Sequence, residues 1–448
     1  MPHARFSLDD DTLHSIVADA LDRGREKGAT ECEAEVSEGY GQTVTVRKGA
    51  VETIEHNRDK GLGVTVLIGK QKGYASTSDL TRKAIADTVD AALSIARFTA
   101  PDEANGLADP ELLARAEDIR DLDLFHPWDI SVERAIEIAR RCEAAAFRLD
   151  PRITNSEGAT VSGQHSQFVL GTSAGFLGGY RSTRHFISCS VIAQEGDAMQ
   201  RDDWYSTTRS PDDLARPAAI GDYAGRRALA RLRSRKIATR ETRVLLEAPM
   251  ASGLLGHFVG AVSGGSLYRK ASFLLDSLGT PVFSPIVNIR EEPRKPRGQA
   301  STCFDDEGVL THPRDVVKEG VLQGYFLGTY SARKLAMRST ANAGGNHNLV
   351  LAPGDKNLVG MLREMGTGLF VTELMGQGIN LVTGDYSRGA AGYWVENGEI
   401  QYPVEEITIA GNLRDMFRNI VAIGSDVLAR GSRECGSVLI EGMTVAGN

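Results

Sequence analysis

Apolar residues recur at helical spacing in two segments of the first hundred residues. The first segment, residues 9–27, predicts an amphipathic helix that ends near Gly28. The inner face of this helix would hold Leu13, Ile16, Val17, Ala20 and Leu21. A second predicted helix begins after a cap at Ser78 or Asp79 and runs to about Phe98.

Between these helices apolar and polar residues alternate, which is typical of half-buried strands. The alternating segments are residues 43–46, 51–55 and 61–68. They predict a three-stranded meander and, together with the two helices, a small α+β domain over residues 1–100. Residues 101–124 are predicted to be an acidic linker, because 101–123 hold eight acidic residues against two arginines.

A middle domain is predicted over residues 125–236. It would begin with a helix from Ser131 to about Leu149 and continue through strands, broken by glycines, between residues 153 and 193. A helix near residues 222–233 would end it. We therefore expect a mixed α/β domain whose strands are antiparallel.

Residues 237–448 are predicted to form a large β-rich domain. A strand at 244–247 precedes a helix with Pro249 in its first turn. The dipeptide Asn397-Gly398 lies between two strand-like segments and is a strong signal for a type I′ hairpin. The helices predicted among the short strands are Ser331–Arg338, Lys356–Glu364 and Asn412–Val421. The fold class is therefore α+β.

Composition narrows the class of protein. The 448 residues are 41% hydrophobic and 25% charged, without an apolar run long enough for a membrane span and without an apolar signal-peptide segment near the N-terminus. The five cysteines are scattered and never occur in Cys-x-x-Cys spacing, which fits a reducing compartment. We therefore expect a cytoplasmic protein with no membrane association.

The formal net charge of −8 argues against a nucleic-acid partner. Residues 226–240 hold seven cations and no acid, which we interpret as the solvated end of a helix in preference to a phosphate contact. Residues 171–175 match the Gly-x-Ser-x-Gly motif of serine hydrolases, but strand-like residues follow where that motif needs a helix. A hairpin turn is predicted there, and no phosphate-binding loop occurs.

The segment 254–265 has the frame of a zinc-peptidase helix without its ligands. Such a helix carries two histidines one turn apart and a glutamate beside the first. In this sequence no histidine is followed by glutamate, and no two histidines lie closer than eleven positions. A two-histidine zinc helix is therefore excluded, and we expect the chain to supply no catalytic residue, metal or cofactor.

Four segments carry a resemblance to the TldD/PmbA family of cytosolic bacterial metallopeptidases, and the chain is similar to the PmbA (TldE) branch. These segments are Leu254–Gly265, Gly384–Trp394, Pro403–Asn412 and Cys435–Val438. The family has also been called a modulator of DNA gyrase, but these residues do not support direct action on DNA.

The resemblance implies a correspondence with the catalytic TldD branch. Gly256 and Ala261 stand where that branch has its two histidine ligands, and His257 and Gly264 stand where it has glutamates. Cys435 lies roughly where that branch has a cysteine ligand. Because a lone thiolate does not hold zinc, we interpret Cys435 as a buried thiol; a rearranged site would need His257 or His347 as a further ligand.

The segment Gly384–Trp394 supplies candidate residues for peptide binding, and Cys435 is a further candidate. Arg388 could bind a carboxylate through two hydrogen bonds, and Tyr393 and Trp394 could offer flat apolar surfaces. The alternative, which we favour, is that Arg388 pairs with an internal acid and both rings fill the core.

The resemblance implies a non-catalytic subunit of a heteromeric TldD-type zinc metallopeptidase that acts on small or unfolded peptides. The partner chain would supply the zinc, its ligands and the glutamate base. One alternative is a homo-oligomeric protein that binds peptides or another ligand without a catalytic partner. A second is an enzyme that uses Cys435 as its nucleophile. The isolated chain could also form a homodimer.

Overall fold

The structure is a computed structural model that describes residues 6–447. The helices are α1 (Asp10–Glu26), α2 (Arg82–Phe98), α3 (Val132–Phe147), α4 (Pro217–Ala230), α5 (Ala248–Ala261), α6 (Gly264–Tyr268), α7 (Thr329–Lys334), α8 (Leu358–Met365) and α9 (Leu413–Arg418). The strands are β1 (Glu31–Arg47), β2 (Ala50–Ile68), β3 (Gln71–Thr77), β4 (Ile153–Thr172), β5 (Leu177–Glu195), β6 (Ala198–Thr208), β7 (Arg240–Leu246), β8 (Ile289–Glu291), β9 (Arg314–Lys318), β10 (Val321–Leu322), β11 (Leu349–Leu351), β12 (Gly368–Met375), β13 (Asp385–Glu396), β14 (Glu399–Asn412), β15 (Ile420–Ile423), β16 (Leu428–Ala429), β17 (Arg433–Cys435) and β18 (Val438–Ala446). The α+β class is confirmed. Within the described residues, no helix combines the length and apolar character needed to cross a membrane.

One six-stranded antiparallel sheet unites the predicted N-terminal and middle domains. Its strand order is β3-β2-β1-β4-β5-β6, and β1 pairs with β4 from Glu33 opposite Thr172 to Val46 opposite Ala159. The turn between β4 and β5 contains Ser173, whose hydroxyl accepts a hydrogen bond from the backbone N–H of Cys32. The predicted hairpin turn at residues 171–175 is therefore confirmed.

The predicted three-stranded meander differs from the structure. Segments 51–55 and 61–68 both belong to the single long strand β2. Residues 50–60 are all exposed, so the predicted half-burial of segment 51–55 is wrong, although the backbone of this part of β2 stays paired with β1. The second helix is capped by Thr81 instead of Ser78 or Asp79, because its hydroxyl accepts the free N–H of Ala84.

The four N-terminal helices cover one face of this sheet. Cys32 and Val36 of β1 belong to the apolar core with α1 and α2, whereas Val44 and Val46 belong to the core with α3 and α4. These β1 positions are all even-numbered and so point to the same face. Between the two cores Tyr40 stacks on His165, with ring centroids 4.4 Å apart.

The C-terminal domain contains two further sheets, ordered β10-β9-β8-β11-β17-β16 and β14-β13-β12-β7-β18-β15. In the second sheet β14 also pairs with β18, which closes five of the six strands into a ring and leaves β15 outside it. Asn397 (φ 54°) and Gly398 (φ 78°) connect β13 to β14, and two positive φ angles are what a type I′ turn requires. Helices α7, α8 and α9 lie where the sequence predicted helices, with shifted ends.

Candidate functional site

Helix α5 continues from strand β7 and presents two faces of different character. Its buried residues recur at helical spacing and face the C-terminal core. They are Ala251, Leu254, Leu255, Phe258 and Ala261. The half-buried face holds Gly253, Gly256, His257 and Gly260. Glycine at three of these four positions leaves helix backbone uncovered, so side chains from other elements can reach it.

The side chain of Arg433 fills the space beside Gly256. A Cβ atom placed on Gly256 would lie 1.9 Å from Nη1 of Arg433, which belongs to strand β17. The guanidinium group therefore lies directly against the helix, where any side chain at position 256 would have to go. A side chain at position 256 and the guanidinium of Arg433 would therefore compete for the same space.

His257 has one aromatic and two cationic neighbours, which come from strands β13 and β17. Its ring centroid is 5.9 Å from that of Tyr386 in β13, at an angle of 68°. Burial lowers the pKa of His257, and the guanidinium groups of Arg388 and Arg433 lower it further. The imidazole is therefore held neutral near pH 7.

Ala261 and Gly264, which the sequence resemblance matched to a ligand and an acid of the catalytic branch, offer no room for larger side chains. Ala261 is fully buried in the core. A Cβ atom on Gly264 would lie 2.2 Å from the hydroxyl oxygen of Ser331. A larger side chain at either position would have to displace packed neighbours.

The thiol of Cys435 is inaccessible. It is completely buried, its Sγ donates a weak hydrogen bond to the carbonyl oxygen of Ala248 at 3.5 Å, and burial raises its pKa to about 12. His347 is also buried, and its Nε2 is 2.8 Å from the carbonyl oxygen of Ala341. Neither Cys435 nor His347 is therefore available as a metal ligand in this structure.

The residues at α5 do not fit a zinc ion. Zinc sites in proteins use three or four ligands, which are thiolates, carboxylates or neutral imidazoles. Here the thiol stays protonated and two guanidinium groups flank the one imidazole, so their positive charge would repel a cation. No cluster of three His, Cys, Asp or Glu side chains suited to a metal ion occurs among residues 6–447.

The structure separates the three candidates of β13. Trp394 is 3% exposed, lies in the core and donates from Nε1 to Glu396 at 2.8 Å, so its ring cannot meet a peptide here. Tyr393 is half-buried and stacks on Phe370. Arg388 is half-buried near α5, and no carboxylate of the described chain lies within 4.0 Å of it. The favoured alternative of an internal acid partner is therefore wrong for Arg388.

A buried charge network anchors the start of α5 to the middle domain. Arg227 of α4 donates to Asp202 at 2.9 Å and to Glu247, the residue before α5, at 2.7 Å. Burial alone would lower the pKa of Arg227, but the two carboxylates reverse this and raise it. Arg231 also contacts Asp202. The predicted solvated face of residues 226–240 is therefore wrong at Arg227 and Arg231, which lie inside an interface.

Sequence reasoning missed Arg433 and Tyr386, the two residues that complete the surroundings of His257. Arg433 reaches α5 only because β17 pairs in parallel with β11 and contacts the helix. No local spacing links it to Gly256. A signal for Tyr386 was present, since it precedes Arg388 by two positions and a strand places both on one face.

Three models of PmbA/TldA metallopeptidase domains match the chain: domain 1 over residues 32–96, the central domain over 125–232 and the C-terminal domain over 239–447. Among curated relatives, the metalloprotease PmbA of Escherichia coli O157:H7 is 51% identical over 437 residues, which cover 97% of this chain and 96% of the relative. The PmbA homolog of Haemophilus influenzae is 45% identical over 446 residues, or 99% and 98% of the two chains. That organism also has a TldD homolog, 22% identical over 395 residues, or 83% and 80%.

Solved structures agree with this assignment. A proposed modulator of DNA gyrase from Bacteroides thetaiotaomicron superposes with a TM-score of 0.93 at 28% identity, over 98% of this chain and all of that one. TldE from Thermococcus kodakarensis shares the fold, with a TM-score of 0.83 at 17% identity over 96% and 100% of the chains. The resemblance suggested by the sequence is thus confirmed, and the chain belongs to the PmbA/TldD metallopeptidase family.

Proposed function

We propose that this chain is the subunit without zinc in a two-chain peptidase, paired with a TldD-like chain that carries the metal. The observation behind this proposal is the replacement at α5. Gly256 and Ala261 stand where the resemblance places two histidine ligands, and the guanidinium of Arg433 takes the space beside Gly256. A chain built in this way needs another source of hydrolytic chemistry.

Peptides are the proposed substrate class because the closely similar relatives are named metalloproteases. The presence of both a PmbA homolog and a TldD homolog in Haemophilus influenzae supports a division of labour between two chains. All five cysteines are free, buried thiols, which supports action in the reducing cytoplasm.

The proposal is tested by purifying the chain alone, a TldD-like chain from the same host alone, and the two after co-expression. We expect co-purification in fixed stoichiometry, and cleavage of an unfolded peptide substrate only where the TldD-like chain is present. Metal analysis of the isolated chain should give far less than one zinc per chain. The matched control is the same pair with the partner's zinc removed by a chelator, which should be inactive.

Two outcomes would contradict this assignment. Near-stoichiometric zinc in the isolated chain, with peptidase activity, would make it an enzyme by itself. A chain that binds peptides as a self-associated oligomer, and gains nothing from the TldD-like chain, would favour the homo-oligomeric binding protein.

A further inference from the structure

Two guanidinium groups near His257 of α5, those of Arg388 in β13 and Arg433 in β17, have no carboxylate partner among the described residues. Among residues 6–447, no carboxylate oxygen lies within 4.0 Å of Arg388 or Arg433. By contrast Arg227, which lies beside the first turn of α5, contacts the carboxylates of Asp202 and Glu247. The positive charge beside Gly256 and His257 is therefore uncompensated.

The hydrogen-bonding capacity of these groups is mostly unused. A guanidinium has five N–H donors in a planar arrangement. Arg388 donates from Nη2 to the carbonyl oxygen of Leu374 at 3.2 Å, and its buried Nε has no partner among the described residues. In the same part of the chain, the Arg433 side chain makes no hydrogen bond to another residue. A buried donor such as Nε of Arg388 is costly to leave unsatisfied.

The acids nearest to Arg433 in sequence, Glu434 and Asp426, form no ion pair with either arginine. Glu434, next to Arg433, is buried in an ion pair with Lys295. Asp426 accepts hydrogen bonds from the backbone N–H and hydroxyl of Ser437, both at 2.9 Å. The two arginines are thus left for a group from outside the chain.

The surrounding residues suit a planar anion of modest size. Gly256 and Gly253 leave the helix surface bare, and a Cβ atom on Gly253 would meet nothing within 4 Å. His257 adds a half-buried imidazole to this surface. Tyr386 lies beneath it in the core, 3% exposed, where burial raises the pKa of its hydroxyl to about 12 although Arg388 acts against this. A guanidinium fork matches a carboxylate with two parallel hydrogen bonds.

We propose that Arg388 and Arg433 form a site on α5 that binds the carboxylate of a peptide, either its C-terminal carboxylate or that of an acidic side chain. The peptide class rests on the proposed function, while the carboxylate follows from the two unpaired guanidinium groups. In an assembled peptidase, this site would hold the peptide by its charge while the partner chain acts on it.

Isothermal titration of the isolated full chain tests the site without any peptidase activity. The probes are N-acetyl-tetra-alanine with a free C-terminal carboxylate, its C-terminal amide, and the amidated peptide acetyl-Ala-Glu-Ala-Ala. We expect the free acid, the glutamate peptide or both to bind, and the uncharged amide to bind at least about tenfold more weakly. Binding of the free acid alone identifies the chain terminus as the source, and binding of the glutamate peptide identifies a side chain.

Variants locate the site. Arg388→Gln and Arg433→Gln should each weaken binding by about tenfold or more, and Arg433→Lys by less because charge remains without the fork. Gly256→Ala should weaken binding because its methyl group displaces the guanidinium. Arg418→Gln, at an exposed position of α9, is the matched control and should bind like wild type.

Several results would overturn the proposal. They are an uncharged amide that binds as tightly as both carboxylate peptides, no binding of any of the three probes, or binding that survives both arginine substitutions. Circular dichroism and the urea midpoint verify that each variant is folded. If Arg388→Gln fails to fold, the binding measurements on Arg433→Gln and Gly256→Ala test the proposal, because neither substitution removes a hydrogen bond of the native chain. Failure here leaves the co-expression test untouched, since that test measures cleavage and stoichiometry.

Discussion

Replacing Arg227 by methionine should destabilise the protein strongly, because it leaves carboxylates buried without their cation. The side chains of Arg227, Asp202 and Glu247 are 14%, 9% and 7% exposed. Asp202 retains Arg231 at 3.5 Å, but Oε1 of Glu247 loses its hydrogen-bond partner and Oε2 has none among the described residues. Removing one member of a buried ion pair costs about 3–5 kcal/mol, and we expect about 3 kcal/mol at pH 7 because Glu247 can take up a proton.

Because Glu247 can take up a proton, the loss of stability in Arg227→Met should depend on pH. Burial already raises the pKa of Glu247 although Arg227 acts against it, so the pKa should rise further in Arg227→Met. A carboxyl group whose folded pKa exceeds its unfolded pKa destabilises the fold above the unfolded value, and this loss shrinks as pH falls. The gap between variant and wild type should therefore narrow from pH 8 to pH 5.

Urea unfolding followed by circular dichroism measures this gap. Arg226→Met is the matched control, since its pair with Asp222 on the same helix is exposed and should contribute nothing measurable. Adding Glu247→Gln to Arg227→Met should recover part of the lost stability by removing the uncompensated charge. The reasoning is refuted if Arg227→Met and Arg226→Met unfold at the same urea concentration, or if the loss does not depend on pH.

Three further predictions concern packing, protonation and reactivity. Gly221→Ala places a Cβ 1.8 Å from a carbonyl oxygen of α3 and should lower the free energy of unfolding in urea by about 1–3 kcal/mol. Gly253→Ala meets no neighbour and should raise it by about 0.5–1 kcal/mol. Equal effects of the two variants would contradict the close packing of Gly221 against α3. Burial lowers the pKa of His165 to about 4, so stability present above pH 6.5 should fall by about 3 kcal/mol as pH drops to 4. His165→Phe should flatten that profile, and an unchanged slope would exclude His165 as its source. Native Cys435 should resist a thiol reagent at pH 8 until urea unfolds the chain, and rapid native labelling would revive a nucleophilic role.

Local signals in the sequence predicted local structure well. Asn397-Gly398 gave the hairpin between β13 and β14, since only a turn with two positive φ angles uses that dipeptide so readily. The amphipathic pattern of residues 9–27 gave α1 within a residue at each end. Strand β2 was split in the prediction because half of it is exposed, and exposure removes alternation without removing backbone pairing.

Long-range pairing was beyond the sequence. The sheet that joins the first two predicted domains depends on β1 meeting β4 across more than a hundred residues, and no periodicity encodes the partner of a strand. The same limit applied to the charged stretch around Arg227. Its cations looked solvated because their acids, Asp202 and Glu247, lie outside the stretch on other elements.

The candidate site also depends on a contact between residues that are distant in the sequence. The absence of histidine at position 256 could be read from the sequence, but an absence does not say what takes its place. Arg433 does so, because a helix glycine exposes backbone and β17 brings a long cationic side chain against it. A divalent cation and a guanidinium repel, so a volume filled by Arg433 cannot also serve a metal. Under the proposed function and the proposed carboxylate site, Gly256 and Arg433 therefore act together: a position without a metal ligand is filled by a cationic side chain, which suits an anion and repels a cation.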